Sequence, residues 1–362
     1  MRRPLALIGA LLLLALLLPP VPTVRRGGST GEARVRAGVV AKGFIRVYVD
    51  GALAAEQEMR SFIWYFAPCS LAARVFPTPW TPEWAGEELR AWGVGDIAPQ
   101  EYRATVVAVK DSKGSQWGSA AAPPPVFSES GFTVSATFTA PRDTNVSIIE
   151  IWQPVLVFFH VEGSTLVTYD YELMVRDYVS QPVYVGSGSQ VTVTYDFVFA
   201  SDQPEGRYEI FTYNWYRVFA AWLYNTENGR VYVTATDGSQ VLVDPTRPSY
   251  QSPARNVPVD TFIVVGDGQA SFSKSAYRVA SEVARAEPEV IRDAHPPHPG
   301  SVVVTRTFVF DKDVTVTEVA VYVKLTDGKE VMLLYYVPDK PVAVRAGQPL
   351  TVTFRVYLAP GI

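Results

Sequence analysis

The chain carries a stretch of itself twice. Residues 182–200, PVYVGSGSQVTVTYDFVFA, and 341–359, PVAVRAGQPLTVTFRVYLA, align without a gap and are identical at eight of nineteen positions. Two further positions keep their chemistry, Tyr195 against Phe354 and Phe199 against Leu358. Upstream, Thr137-Phe138 with Asp143 stands opposite Thr307-Phe308 with Asp313. Glu150 in SIIEIW stands opposite Glu318 in TVTEVAVY across a gap of two residues. Fainter echoes link Gly95-Asp96 and Tyr102-Arg103 to Gly266-Asp267 and Tyr277-Arg278, and Trp64-Tyr65 to Trp215-Tyr216. A spacing of roughly 150–170 residues is too long for a solenoid repeat and suits a duplicated domain.

The repeated stretch reads as a strand. Hydrophobic and polar residues alternate through VTVTYDFVF and LTVTFRVYL, the period of a strand with one face buried. Val193, Tyr195, Val352 and Phe354 are expected inward, and Thr192, Thr194, Thr351 and Thr353 outward. Gly188 and Gly347 each follow Pro-Val and precede the strand, where a turn with positive φ is expected. Other strands are predicted at 44–49, 102–109, 132–138, 147–152, 155–161, 165–173, 230–235, 261–265, 302–310, 314–323 and 330–336. Asp50-Gly51 and Thr326-Asp327-Gly328 supply turn chemistry. Predicted helices are 59–76, broken at Pro68; an amphipathic 213–223 with Trp215, Phe219 and Trp222 on one side; and 271–286 with Ala276, Val279, Ala280 and Val283 on one face. Three tryptophans and three prolines make 77–92 an irregular packed excursion.

The expected fold class is mainly β, with two tandem antiparallel sandwich-like modules, each carrying one or two short helices. The boundaries are 1–24 for an N-terminal hydrophobic segment, 25–40 for a flexible linker, 41–202 for module 1 and 203–362 for its duplicate. A chain of 362 residues is long enough for two cored domains. Its 48% hydrophobic content agrees. A net charge of −4 without a basic stripe excludes nucleic acid as a partner. The single cysteine, Cys69, excludes an intrachain disulfide framework and a cysteine-rich zinc site, and reads as buried filler. Few Met and Cys residues are compatible with a thermophilic source.

Arg2 and Arg3 precede an apolar run, Leu5–Leu18, and then Pro19, Pro20 and Pro22. A fourteen-residue helix spans about 21 Å, short of a bilayer core of about 30 Å, so the layout is that of a secretory signal peptide. Extension through Val24 gives twenty residues, which keeps an uncleaved membrane anchor open. Val21 and Thr23 make a poor cleavage site, and Arg25-Arg26 resist translocation. Export is expected by either route, with the membrane a partner through this segment.

No constellation for chemistry emerges. His295-Pro-Pro-His298 lacks a third ligand, and His160 lies in the apolar run FFHVE. The chain has no nucleophile elbow of the G-x-S-x-G kind, and Gly266-Asp267-Gly268 lacks the further glycine or Lys-Ser/Thr ending of a phosphate loop. Asp202 and Asp311-Lys312-Asp313 read as turn acids, not a calcium loop. Asn145-Val146-Ser147 is a glycosylation acceptor sequence. Tryptophans 64, 80, 84, 92, 117, 152, 215 and 222 are expected mostly in the core. No catalytic, cofactor-binding or metal-binding residue is assigned, and no cofactor is expected.

Thr317-Glu318-Val319 with Tyr322, Pro341-Val342, Gly347 and Leu350-Thr351-Val352-Thr353-Phe354 resembles a recurring unit of phage tail-fibre and baseplate-associated proteins. The preceding VVGDGQASFSKSAYRVASEVARAEPEV is similar to the glycine-containing strand and acidic helix of that unit. The resemblance covers roughly 260–360 and, less fully, 130–200, and does not extend to 1–100. The first copy departs from it: Gly268 has no counterpart, and Pro154 interrupts the Glu150 strand. The resemblance implies an exposed structural or attachment role. Together with the duplication and the leader, it leads to an expectation of a non-enzymatic protein on a virion or cell envelope. Its partners would be other proteins, further copies of itself or a surface glycan. The competing expectation is a secreted carbohydrate-binding or carbohydrate-active protein, which needs paired carboxylates among Glu150, Glu162 and Glu172 beside exposed tryptophans.

Overall fold

A computed structural model describes residues 33–58, 75–77, 104–161, 164–201, 210–245, 256–269, 271–293 and 301–357. The chain is mainly β. Its strands, in order, are β1 (Ala33–Val49), β2 (Ala52–Glu58), β3 (Val106–Lys110), β4 (Gln116–Ala121), β5 (Val126–Phe127), β6 (Gly131–Thr139), β7 (Thr144–Val161), β8 (Ser164–Val185) and β9 (Gln190–Ser201). After helix α1 (Tyr213–Tyr224) come β10 (Val231–Thr234), β11 (Gln240–Val243), β12 (Pro258–Gly266), β13 (Glu282–Ala286), β14 (Glu289–Asp293) and β15 (Ser301–Val309). The last are β16 (Val314–Val316), β17 (Glu318–Leu325), β18 (Glu330–Tyr336), β19 (Val342–Val344) and β20 (Pro349–Tyr357).

The pairing order repeats along the chain. A four-stranded sheet β4-β3-β7-β8 is matched by β13-β12-β17-β18, and β5-β6-β9 by β14-β15-β20. The start of β7 pairs with the end of β8 as β16 pairs with β19. Register repeats as well. Thr137 faces Thr192 and Phe138 faces Val191, as Thr307 faces Thr351 and Phe308 faces Leu350. The threonine hydroxyls meet at 2.9 Å in the first pair and 2.7 Å in the second. Val193, Tyr195, Val352 and Phe354 are fully buried, while Thr192, Thr194, Thr351 and Thr353 are only half-buried.

The turn entering each closing strand is built alike. Gly188 and Gly347 have φ of +85° and +75°. Each donates its N–H 2.8 Å to a carbonyl, Ala140 in one half and Phe310 in the other. Asp143 accepts from Ser187 N–H, and Asp313 from Ala346 N–H, both at 2.8 Å. The shared Asp and Gly of the two halves are therefore turn-making residues.

The linker expected at 25–40 is, from Ala33 onward, the first part of β1. Arg34 is exposed and Val35 buried, as in a strand with one face turned inward. This part of β1 pairs parallel with β20, Ala33 opposite Leu350 through Val40 opposite Tyr357. Its other edge pairs antiparallel with β9 from Val39 to Val49, and the far half of the first edge takes β2. Backbone partners on both edges convert a segment expected to be a tether into the central strand of one eight-stranded sheet, β14-β15-β20-β1-β9-β6-β5 with β2 beside it. The expected boundary at residue 41 falls inside that strand.

Helix α1 is where the sequence predicts it, but it is a plug rather than an amphipathic helix with one buried side. Trp215, Phe219 and Trp222 are fully buried, and so are Val218, Ala220 and Ala221 on its other sides. A helix buried on nearly every side, with only Tyr213 and Arg217 partly exposed, belongs in a core. Thr212 caps its start, accepting from Trp215 N–H and donating to the carbonyls of Met332 and Leu333 at 2.9 and 3.0 Å. Asn225, left-handed at φ +51°, ends it. From the first half, the Gln153 side-chain amide (Nε2) donates to the Trp222 and Leu223 carbonyls, and the Thr105 hydroxyl donates to the Tyr224 carbonyl. Tyr224 in turn donates to Pro123, and Asn225 to Pro154. Phe132, Phe197 and Phe199 pack their rings on Phe219. The helix thus joins the two halves through one continuous core.

Two other helix expectations end differently. Residues 271–281 form turns, and 282–286 are β13. The spacing of Ala276 and Val279 is explained by their packing on Tyr322, Met332 and Tyr335 as an irregular cover. Most of 59–76 lies outside the described residues, as does most of 77–92; Val75 and Phe76 are buried, Phe76 stacking on Trp215 at 5.7 Å. Among the described residues α1 is the one complete α-helix, and Val75 is helical too. Pro154 does not interrupt β7: its carbonyl is taken by Asn225, and β3 pairs with β7 only as far as Trp152. An edge without a partner strand tolerates the missing N–H.

Candidate functional site

The two buried glutamates are the strongest chemical features of the two halves. Glu150 sits in mid-β7 between Ala108 of β3 and Arg176 of β8. Its side chain is fully buried. Lys110 Nζ approaches at 2.9 Å, Arg176 Nε at 2.6 Å and the Trp152 indole N–H at 2.8 Å. Burial by itself would raise this carboxyl, but the donors from Lys110, Arg176 and Trp152 outweigh it and hold the group below its ordinary value. A carboxylate kept ionised by two cations is a poor proton donor. Its chemistry is that of a structural anchor for three strands.

Glu318, at the matching place in β17, is equally buried but meets no cation among its hydrogen bonds. Its oxygens accept from Ala280 N–H at 2.8 Å, Ser281 N–H at 3.1 Å and the Tyr335 hydroxyl at 2.9 Å. Burial, aided by Glu318, pushes the Tyr335 hydroxyl up. The two backbone donors come from the long connection 267–281, which Glu318 ties down over β17 and β18. Tyr322 helps by accepting from Val279 N–H at 2.7 Å. A Cβ on Gly266 would lie 2.6 Å from Glu318 Cγ, and one on Gly268 would lie 2.7 Å from Ala280 Cβ. Gly-Asp-Gly is thus a clearance motif around a buried carboxylate.

The remaining sequence candidates fall apart spatially or into turns. Glu172 is buried and lies opposite Gln153 in register, not beside Glu150, which lies opposite Arg176. Trp215 and Trp222 are fully buried; Trp117 and Trp152 are half-buried, with their indole N–H groups given to Asn145 and Glu150. Asn145 Oδ1 accepts from Ser112 N–H and from the Ser147 hydroxyl, so the acceptor sequence is engaged in a β-turn contact. His160 lies on β7 opposite Thr165. Glu162, Cys69, Asp202, His295, His298 and tryptophans 64, 80, 84 and 92 lie outside the described residues. Among the described residues no cluster of three potential metal ligands occurs. No helix among them is long and apolar enough to cross a membrane.

Sequence reading missed the outward face of β8. Tyr178 and Tyr184 are 58% and 83% exposed, and Leu53 of β2 is 52% exposed. Gln57 of β2 ties the two strands, donating to the Tyr178 carbonyl and accepting from Ser180 N–H, both at 2.8 Å. The period-two pattern was the available signal, but YVSQPVYV breaks it where four residues bulge between Tyr178 and Val183. No family model matches the chain, and no curated protein or solved structure matches it.

Proposed function

We propose that the chain is a non-enzymatic structural or attachment protein, exposed on a virion or cell envelope and built from two copies of one tail-fibre-like β module. Its N-terminal apolar segment carries it out of the cytoplasm as a signal peptide or a membrane anchor. The observation that carries this reading is what the two halves share. Thr137 and Thr192, Asp143 and Gly188 recur as Thr307 and Thr351, Asp313 and Gly347, and every one of them makes a turn or sets a register. A duplication that retains shape-making residues while the surroundings of its buried glutamates diverge serves architecture. The engagement of Glu150 by Lys110 and Arg176 supports the same reading, since it removes that carboxylate from acid catalysis.

Fractionation of the native source tests it. The chain should be found with membrane, particle or medium and be labelled by a reagent that cannot cross membranes. Recovery only from the cytosol would sink the proposal. The exposed Tyr178 and Tyr184 favour one second reading, a secreted carbohydrate-binding protein, because tyrosine faces stack on sugar rings. Binding to a glycan array that is lost in Tyr184→Ala would make this second reading the better one.

A further inference from the structure

The chain has five asparagines, and four of them commit their side-chain nitrogen to the fold. Asn214 donates Nδ2 to the Thr234 carbonyl, Asn225 to that of Pro154, Asn228 to that of Ala122 and Asn256 to the Asp327 carboxylate, at 2.8, 2.9, 2.8 and 2.5 Å. Asn145 is the exception. Its Nδ2 has no acceptor among the described residues, and it alone stands in an acceptor sequence, Asn145-Val146-Ser147.

The other end of this amide is held firmly. Ser112 N–H, which can only donate, reaches Asn145 Oδ1 at 3.0 Å and so fixes which end is the oxygen. The Ser147 hydroxyl gives the same oxygen a second hydrogen bond at 2.6 Å. The backbone is held as well, for the Trp117 indole donates to the Asn145 carbonyl at 2.7 Å. A bulky group on any of the other four asparagines would crowd an acceptor already in contact; on Asn145 it crowds none. Directly opposite Asn145 in the β7–β8 register stands Tyr184, 83% exposed, its ring and hydroxyl without a partner among the described residues. Opposed residues share a face and carry their Cβ atoms about 5 Å apart, so a sugar on Nδ2 comes over the Tyr184 ring.

We propose that Asn145 is the attachment site of an N-linked glycan whose first pyranose ring lies on the face of Tyr184. The sugar that this exposed tyrosine meets is then the chain's own. The donor is a sugar carried on a lipid phosphate. The bond from Nδ2 to the anomeric carbon forms and the carbon–oxygen bond to phosphate breaks. The phosphate leaves with the electron pair, and Nδ2 gives one proton to a base of the transferase. Val146 and Ser147 are buried in the fold, so transfer precedes the pairing of β7 with β8. The inference rests on the export reading above and adds a modification to it.

The test is peptide mapping of the full chain from its native source, with the compartment of recovery recorded. Trypsin releases 143–176, and in exported chain this peptide should carry a glycan that an asparagine-glycan amidase removes. Ser147→Ala should abolish the modification with Asn145 still in place, and Ser147→Thr should retain it. Stripping the glycan should lower the melting temperature of the parent by roughly 1–3 °C and leave that of Tyr184→Ala unchanged. Exported chain with an unmodified 143–176 peptide overturns the proposal and leaves the export reading standing. Unmodified chain recovered only from the cytosol overturns both. A glycan that survives Asn145→Gln overturns it too, and equal losses with and without Tyr184 remove the tyrosine as the seat of the sugar.

Discussion

The two halves solve one problem in opposite ways. Each has a glutamate buried in the middle strand of its four-stranded sheet, Glu150 in β7 and Glu318 in β17. In the first half β3 and β4 are joined by the short turn Asp111–Ser115, and side chains from the flanking strands, Lys110 and Arg176, reach over the carboxylate. In the second half the connection is 267–281, and its backbone N–H groups do the work of the two cations. The difference propagates outward. The long connection carries Phe272, Ala276 and Val279 onto the sheet, so β17 and β18 are buried on both faces and read as the apolar runs VAVYV and VMLLYY. A repeated residue therefore need not have repeated partners, and the loop length chooses them.

Glu150→Ala should do the most damage. It leaves Lys110 and Arg176 close together without their counter-ion and should cost about 3–5 kcal/mol in denaturant unfolding. Glu318→Ala leaves two backbone donors and a hydroxyl unmet and should cost about 1–3 kcal/mol, with new protease cleavage in 267–281 as its signature. Equal losses at the two sites would dissolve the contrast. Acid sharpens it. Because the folded Glu150 carboxyl is held below its unfolded value, its stabilisation is complete above about pH 4.3 and fades as pH falls through the folded value. The parent's melting temperature should drop over that range more steeply than that of Glu150→Gln.

Gly266→Ala should cost about 1–3 kcal/mol by overpacking against Glu318, and less in a Glu318→Ala background. Strict additivity would show that the clearance argument is wrong. At the shared turns the halves should behave alike. Gly188→Val and Gly347→Val should each cost about 1 kcal/mol or more, because a β-branched residue is excluded at positive φ. The smallest effect is expected for Thr137→Val and Thr307→Val, under about 1 kcal/mol each, measured as paired shifts in melting temperature.

Local chemistry was the legible part of the sequence. Alternation through VTVTYDFVF and LTVTFRVYL gave the closing strands and their inner faces, and Gly188 and Gly347 gave the positive-φ turns. Whatever depends on a distant partner was not. ARVRAGVV became a strand only because β20 offers it an edge along its whole length, with β9 taking the other side from Val39 onward. The helical spacing of Ala276, Val279, Ala280 and Val283 met an acceptor, Glu318, that fixes the backbone as turns instead. Helix α1 was found, but its polar Asn214 is buried, because its side chain donates to the Thr234 carbonyl at 2.8 Å. Glu150 and Glu318 were visible as a repeat, and their roles were not, since those belong to Lys110, Arg176, Ala280 and Ser281.

Strand β1 has a consequence for how the protein is made. Its parallel partner is β20, so Ala33 waits for Leu350 before the middle of the large sheet can close. A contact between the first and last strands puts the entropy of closing nearly the whole chain ahead of its reward, which is the topology of slow folders. Until β20 emerges, the edge of β1 from Ala33 to Val40 stays open. During synthesis the chain is thus a half-zipped sheet, and its last nine-residue strand is the fastener.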